Sequence, residues 1–257
     1  MGYVRTSDNV KIFYRLIGSG PKTILFIHPP GMGHVTFKQQ LPLSSHYRLL
    51  FLDLRGNGNS ERSDAPIRFS LLASDIFEVC QQLAIDKVIV CGYSNGASIA
   101  LETSLNFPDI VEGLILIGAF PKVNSFLLYN EFLLGILASH FDGLGIIART
   151  IARAHTYSKI WEEELTSYMM KTDANTLHQY YTEGLTYNCT ERLADITAPM
   201  LLVYGQRDYY VHHYHKEFLS RLPKTKVVYI TGARHQVPTK FPNELNAITK
   251  EFIQSLG

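Results

Sequence analysis

The stretch of sequence that decides the fold is Val88-Ile89-Val90-Cys91-Gly92-Tyr93-Ser94-Asn95-Gly96-Ala97-Ser98-Ile99-Ala100. An apolar, β-branched run leads into a serine flanked by glycines, and small helix-forming residues follow. This order predicts a buried strand, a tight turn and a helix. In the pattern Gly92-x-Ser94-x-Gly96, bulk beside the serine would clash with the strand or the helix. The turn lifts the serine hydroxyl to the N-terminal end of the helix, where developing negative charge is favoured. Ser94 is therefore a candidate nucleophile, with an ordinary serine in a glycine-rich turn as the alternative.

Apolar runs alternate with helical patterns along most of the chain. The runs that predict strands are Tyr3 to Thr6, Lys11 to Leu16, Lys22 to His28, Arg48 to Leu54, Lys87 to Cys91, Gly113 to Ala119, Pro199 to Tyr204 and Lys226 to Ile230. Helices are predicted from about Thr36 to His46, Ser70 to Leu83, the Ser94 turn to Phe107, Val211 to Arg221 and Asn243 to Ser255. The pattern predicts an α/β fold with a mostly parallel central sheet of about eight strands, flanked by helices and opened by an antiparallel hairpin. Ligands in such sheets bind at the carboxyl ends of the strands.

The alternation stops between residues 121 and 189, where the sequence reads as several helices rich in aromatic residues. We therefore predict a core domain of residues 1–120 and 190–257, with a helical cap of residues 121–189 inserted after the sixth strand. Phe126 to Leu137 is apolar on nearly every face, which predicts burial between two surfaces, and it would also serve as a dimer surface. Most of the aromatic residues are expected to form the core of the cap, and some to line a pocket. The candidate substrate-binding residues are Phe120, Tyr93, Phe126, Tyr129 and Trp161.

Composition limits the class of protein. The chain has 257 residues, of which 46% are apolar and 18% charged, as expected of one sizeable domain with an insertion. The net charge of +1 gives no argument for binding nucleic acid or an anionic membrane. No apolar run approaches the length of a membrane-spanning helix, and the first residues lack the apolar core of a secretory signal. Cys80, Cys91 and Cys189 are odd in number, which favours reduced, buried thiols in a cytoplasmic protein.

No metal or cofactor is implied by the sequence. His212, His213 and His215 lie close together, but no cysteine or carboxylate accompanies them in a metal-binding pattern. Gly56 and Gly58 lack the further helix-opening glycine of a dinucleotide-binding loop. The expected partner is a small acyl compound, and the protein is expected to be a monomer or a homodimer.

Five short motifs lie at the ends of the predicted strands. They are His28 with its loop, Asp53-x-Arg55-Gly56-x-Gly58-x-Ser60, Gly92-x-Ser94-x-Gly96, Gly205-x-x-Asp208 and Gly232-x-x-His235. With these motifs in this order, the sequence resembles a capped serine hydrolase or esterase of the α/β-hydrolase fold superfamily over essentially its whole length. That fold uses the chain order serine, acid, histidine. The resemblance also implies that Asp53-Leu54-Arg55 braces the loops near the site.

The candidate catalytic residues are Ser94, His235 and Asp208. A serine hydroxyl attacks poorly at neutral pH, so a neighbouring imidazole must take its proton. His235 is the candidate base, and Asp208 is expected to hold its ring in the right tautomer and to stabilise the imidazolium. The alternatives are an ordinary loop histidine and an aspartate that caps a turn.

The candidate oxyanion hole departs from the family pattern. The backbone N–H of Asn95 is the expected first donor. The second donor in the family usually comes from the position of Pro30, and proline has no N–H. Gly31 or Met32 donates instead, or the Asn95 side chain helps, or the hole is incomplete.

Two hypotheses of function follow from these residues. The first is a cytoplasmic serine hydrolase that acts through an acyl-enzyme on a small, largely apolar ester, lactone or related acyl substrate. Carbon–carbon bond hydrolysis, perhydrolysis and amide cleavage stay open, because the same triad supports them. The second is a ligand-sensing module with slow or no turnover that signals to a protein partner.

Overall fold

The predicted apolar runs form one eight-stranded sheet in the computed structural model, which describes residues 1–140 and 143–257. The strands are β1 (Gly2–Arg5), β2 (Lys11–Ile17), β3 (Thr23–Ile27), β4 (Arg48–Leu52), β5 (Val88–Tyr93), β6 (Val111–Ile117), β7 (Met200–Gly205) and β8 (Lys226–Ile230). Their order in the sheet is β1-β2-β4-β3-β5-β6-β7-β8. The β1–β2 and β2–β4 pairs are antiparallel, and the remaining pairs are parallel. The predicted fold class is confirmed.

The central strands are apolar throughout because both faces of the sheet are covered. Successive residues of a strand point to opposite faces. Leu25 of β3 and Val90 of β5 enter one hydrophobic core, whereas Phe26 and Cys91 enter the core on the other face. Such double-sided burial is typical of parallel sheets, and it explains the unbroken apolar runs.

The α-helices are α1 (Phe69–Gln82), α2 (Asn95–Asn106), α3 (Phe126–His140), α4 (Leu144–His155), α5 (Lys159–Met169), α6 (Ala174–Thr186), α7 (His215–Arg221), α8 (Val237–Lys240) and α9 (Pro242–Gln254). Two predicted helices differ in type or extent. The segment His34–Ser45 is 3₁₀-helical with a break at Phe37, whose φ of −98° and ψ of 22° are not helical, and it contains Pro42, which lacks the N–H that an α-helix would use. The segment predicted to begin at Val211 opens with a 3₁₀ turn, and its α-helix starts at His215. The short helix α8 was not predicted.

The α-helices α3 to α6 lie between β6 and β7, within the described part of the region predicted to be a cap. Residues 141 and 142 of that region lie outside the described residues. The prediction that Phe126 to Leu137 is buried on both sides is wrong. Helix α3 packs on α6 through its inward face, where Leu128 and Phe132 are buried. Phe126 is 82% exposed and Leu134 67% exposed, because no described part of the chain covers the outer face.

The three cysteines, Cys80, Cys91 and Cys189, are buried and free of disulfides, as predicted. Burial raises the pKa of the Cys80 thiol to about 12 and that of the Cys189 thiol to about 11, so both stay protonated at neutral pH. Among the helices of the described residues, we find none with the length and apolar character needed to span a membrane.

Candidate active site

Ser94 lies at the sharp turn between β5 and α2, with φ of 54° and ψ of −124°. A Cβ atom on Gly92 would lie 2.6 Å from the carbonyl oxygen of Gly96, and one on Gly96 would overlap the carbonyl oxygen of Ile27. Both contacts are with backbone, which cannot move aside without shifting the strand or the helix. The predicted need for two glycines at this turn is confirmed.

The structure brings Ser94, His235 and Asp208 together in one line of hydrogen bonds. Ser94 Oγ lies 2.9 Å from His235 Nε2, and His235 Nδ1 lies 2.6 Å from Asp208 Oδ2. The carboxylate accepts from Nδ1–H, so Nε2 is left to accept the proton of the serine hydroxyl. Asp208 is almost completely buried, and its other oxygen, Oδ1, has no hydrogen-bond partner within the described residues. This geometry suits a nucleophile, a general base and an orienting carboxylate.

The electrostatics of His235 favour its protonated form. Burial of the ring acts to lower the pKa, but the charge and the hydrogen bond of Asp208 act against burial. Glu131 of α3 adds a second negative charge, and the pKa of His235 ends above its ordinary value. An imidazolium formed when His235 takes the serine proton is therefore stabilised in place.

The loop that replaces the usual oxyanion loop is a tight turn. The N–H of Met32 donates to the carbonyl of Pro29 over 3.2 Å, and Gly31 has φ of 77°. Proline at the second position and glycine with positive φ at the third are typical of a type II turn. The N–H of Gly31 donates to Asn57 Oδ1 over 2.7 Å. Both N–H groups that were predicted as substitute donors thus already have acceptors.

The side chain of Asn95 lies beside the serine and lines the same cavity. Asn95 is 3% exposed, and within the described residues neither Oδ1 nor Nδ2 has a hydrogen-bond partner. A Cβ atom on Gly184 of α6 would lie 2.5 Å from Asn95 Nδ2, so the amide lies directly under that helix. Buried polar groups are nearly always paired, which makes this amide a candidate to bind substrate.

A cavity of about 420 Å³ opens at Ser94 and His235. Its walls are mostly apolar and come from both the sheet edge and helices α3, α4 and α6. The lining residues include Met32, Tyr93, Leu128, Phe132, Ile151 and Tyr181, with Glu131 and His155 as polar members. Of these residues, the sequence analysis named Tyr93 as a candidate substrate-binding residue and Met32 as a candidate oxyanion donor, and it did not single out the others. Leu128, Glu131 and Phe132 follow the i, i+3, i+4 spacing of one helix face, a signal that becomes readable only once the inward face is known.

The other four predicted substrate-binding residues lie away from this cavity. Phe120 is buried beneath it, against Phe132. Phe126 and Tyr129 lie on the exposed side of α3, and Trp161 packs in a small core with Leu165. On α3, the side chains that face the cavity are instead Leu128, Glu131 and Phe132.

Tyr93 joins the sheet to α4 through a buried hydrogen bond. His155 Nδ1 donates to the carbonyl of Ile151 over 2.7 Å, so His155 Nε2 is left to accept from the Tyr93 hydroxyl at 3.0 Å. Burial lowers the pKa of His155 to about 4, which keeps its ring neutral in this role. Tyr93 thus positions the wall of the cavity and contributes to it.

Asp53 and Arg55 brace the loops around the site. Asp53 accepts hydrogen bonds from the ring and backbone of His34 and from the Tyr168 hydroxyl of α5. The guanidinium of Arg55 is buried and donates to the carboxylates of Asp75 and Asp8. These contacts tie the loop after β4 to α1, to α5 and to the β1–β2 turn, as predicted.

The sheet order, the sharp serine turn and the serine–histidine–aspartate line define an enzyme of the α/β-hydrolase superfamily. The chain belongs to the family described as serine aminopeptidase, S33, whose sequence pattern matches residues 43–239. A human relative, the serine hydrolase BPHL, is 22% identical over an alignment 270 residues long, which covers 96% of this chain and 84% of the relative.

Solved structures share the same fold over nearly the whole chain. The esterase EaEST from Exiguobacterium antarcticum superposes with a TM-score of 0.90 at 20% identity, covering 99% of this chain and 100% of the esterase. The enol-lactonase from Burkholderia xenovorans LB400 gives a TM-score of 0.87 at 17% identity, covering 98% of this chain and 100% of that enzyme.

Proposed function

We propose that this enzyme is a serine hydrolase that cleaves a small, largely apolar ester, lactone or related acyl substrate through an acyl-enzyme. The observation that carries the proposal is the line of hydrogen bonds from Ser94 through His235 to Asp208, which opens onto a mostly apolar cavity of about 420 Å³. The family membership and the hydrolase relatives support the reaction class.

In the proposed first half-reaction, Ser94 Oγ attacks the substrate carbonyl carbon while its proton passes to His235 Nε2. The tetrahedral intermediate collapses when the bond to the leaving oxygen breaks, and His235 returns the proton to that oxygen. Asp208 stays ionised and stabilises the imidazolium. In the second half-reaction, His235 takes a proton from water, the hydroxide attacks the acyl carbon, and Ser94 leaves with the proton.

We propose that Asn95 supplies both donors of the oxyanion hole. Its backbone N–H follows the nucleophile directly at the start of α2, where the helix dipole favours negative charge. Its side-chain amide supports the second role, because it is buried, lines the cavity and lacks a partner within the described residues. Donors held in a water-poor site before the reaction stabilise the oxyanion without reorganising.

We propose further that α3 to α6 act as a cap that sets the acyl specificity. Leu128, Phe132, Ile151 and Tyr181 come from these helices and supply much of the apolar wall facing Ser94. A wall of this kind excludes water and strengthens the electrostatic interactions in the site.

A ligand sensor with slow turnover is the second candidate function. The observation that favours it is the engagement of the Gly31 and Met32 N–H groups, which leaves the family's usual second donor without a substitute in the backbone. The loss of one oxyanion donor lowers kcat by a factor of about 10²–10³. A sensor would acylate once or bind without reaction.

The test is hydrolysis of p-nitrophenyl esters of graded acyl length by the native protein and by Ser94→Ala. Sustained release of p-nitrophenol that disappears in the variant is the expected result, and the acyl length with the highest kcat/KM measures the cavity. A single burst of one equivalent would favour the sensor. Hydrolysis that survives in Ser94→Ala would overturn the assignment of the nucleophile.

A further inference from the structure

A second concave region adjoins the cavity on the side of His235. This groove has a volume of about 820 Å³, and it shares Tyr210, His235 and Gln236 with the cavity beside Ser94. The two regions therefore meet at the candidate base, with the cavity running under α3 and α6 and the groove running outward between the ends of β7 and β8 and the end of α4.

The groove carries an excess of positive charge. Arg207, Arg234 and Lys240 line it, and within the described residues Asp208 is the one carboxylate among its lining residues. Asp208 is buried and hydrogen-bonded to His235, and the three cations outnumber this one carboxylate around the groove. In the described chain, the guanidinium groups of Arg207 and Arg234 make no ion pair and no side-chain hydrogen bond.

Aromatic side chains complete the groove and stay accessible. Tyr157 is 90% exposed and Tyr209 is 67% exposed, and both line the groove. Lys240 Nζ lies 4.2 Å from the ring centroid of Tyr157, a cation–π contact that leaves its remaining N–H donors free for a ligand. Exposed aromatic rings beside the cationic side chains of Arg207 and Arg234 favour the binding of an organic anion.

From this arrangement we infer that the leaving group of the substrate carries a negatively charged oxygen group, a carboxylate or a phosphate, and binds in the groove. The inference rests on the proposed hydrolase mechanism. His235 delivers a proton to the leaving oxygen, so the leaving group must lie against His235, which is where the groove begins. The acyl part then occupies the apolar cavity, and Arg207 and Arg234 attract the charged end of the leaving group.

The experiment compares four esters with the same butyryl group and different leaving groups. The leaving groups are phenol and its meta-carboxylate, meta-phosphate and meta-trimethylammonium derivatives, and each enzymatic rate is divided by the rate of alkaline hydrolysis of the same ester. The expected result is a lower KM for the two anionic esters than for phenyl butyrate and a higher KM for the cationic ester. The carboxylate and phosphate arms distinguish the two kinds of anion.

Variants assign the preference to the groove. In Arg207→Gln and Arg234→Gln, the ratio of kcat/KM for the anionic and the neutral ester is expected to fall by up to about fivefold each, as for exposed ion pairs. The matched control is Arg149→Gln, which removes the same charge from an exposed arginine of α4 outside both the cavity and the groove. Its ratio is expected to match that of the native enzyme. Added salt should reduce the preference in the native enzyme by screening.

The outcomes separate the inference from the mechanism on which it rests. If Ser94-dependent hydrolysis occurs with equal KM for all four esters, the anion site is refuted and the hydrolase stands. If the cationic ester is preferred, the inferred sign is wrong. If no ester is hydrolysed in a Ser94-dependent way, the proposed hydrolase itself fails. If Arg149→Gln lowers the ratio as much as the groove variants, the preference comes from overall charge, which also refutes the site.

Discussion

Replacing Asn95 with leucine is expected to make the protein more stable and the enzyme slower. Leucine has the same branching as asparagine, and the amide that it replaces lies next to Gly184, near the ring of Phe132. A buried polar group without a partner costs about 1–3 kcal/mol. We therefore expect the free energy of unfolding to rise by about 1–3 kcal/mol, and Tm by roughly 2–4 °C for each kcal/mol in a chain of this size.

The expected loss of activity has a separate origin. Asn95→Leu keeps the backbone N–H at the start of α2 but removes the side-chain donor, and the loss of one oxyanion donor lowers kcat by about 10²–10³. The assay is kcat at saturating p-nitrophenyl ester, together with thermal and urea unfolding of the same preparation. Ser104→Ala is the matched control, because Ser104 Oγ is a buried atom of the same helix that has no hydrogen-bond partner within the described residues and does not line the cavity. It is expected to leave kcat unchanged.

Either half of the prediction can fail by itself. An unchanged kcat in Asn95→Leu would refute the amide as an oxyanion donor and leave the Asn95 N–H to act alone. A lower Tm in Asn95→Leu would show that the side-chain amide stabilises the folded protein, which contradicts the expected cost of burying it without a partner. A fall of kcat in Ser104→Ala similar to that in Asn95→Leu would trace both losses to a general disturbance of α2.

Three further perturbations test the site and the fold. Asp208→Asn is expected to lower kcat by about 10⁴. Asp208 raises the pKa of His235, and the neutral ring is the base, so the acid limb of the pH–rate profile should move to lower pH in this variant. An acid limb at the same pH as in the native enzyme would contradict the prediction. Acid is expected to destabilise the fold through His155, because burial lowers its pKa from 6.5 to about 4. Between these two values the ring binds a proton in the unfolded chain but stays neutral in the folded chain, so a lower pH favours unfolding. Between pH 7 and 5, His155 accounts for about 2 kcal/mol of the loss, and His28, whose pKa burial also lowers to about 4, adds a similar amount. Urea unfolding at the two pH values measures the sum, and His155→Gln should lose about 2 kcal/mol less. Arg55→Met is expected to lower the free energy of unfolding by about 3–5 kcal/mol, because it leaves the buried carboxylate of Asp75 without its ion-pair partner. The double variant Arg55→Met, Asp75→Asn should recover part of this loss, as measured by urea unfolding.

The sequence predicts features that depend on local chemistry and on strand order. The turn at Ser94 needs glycines on both sides, so its geometry was readable from the five residues Gly92 to Gly96. Asp208 and His235 follow neighbouring parallel strands, and the carboxyl ends of such strands meet at one edge of the sheet. That rule brings them near Ser94 without any knowledge of side-chain positions.

The walls of the cavity could not be predicted for an equally physical reason. Helix α3 is apolar on nearly every face, so its sequence does not tell which face turns inward, and the exposed Phe126 and the buried Phe132 look alike. The engagement of the Gly31 N–H was also hidden, because its acceptor, Asn57, belongs to a different loop. Both features depend on contacts between segments that are far apart in sequence.

Three tyrosine hydroxyls have a role that the sequence did not suggest. Each joins one of the helices α4, α5 and α6 to the sheet or to one of its loops. Tyr93 donates to His155 of α4, Tyr168 of α5 donates to Asp53, and Tyr180 of α6 donates to the carbonyl of Arg55 over 2.9 Å. The hydrophobic effect has no direction of its own, whereas a buried hydrogen-bonding group that loses its partner costs about 1–3 kcal/mol. The three contacts therefore fix the rotation of the helices, and with it the side chains that face Ser94.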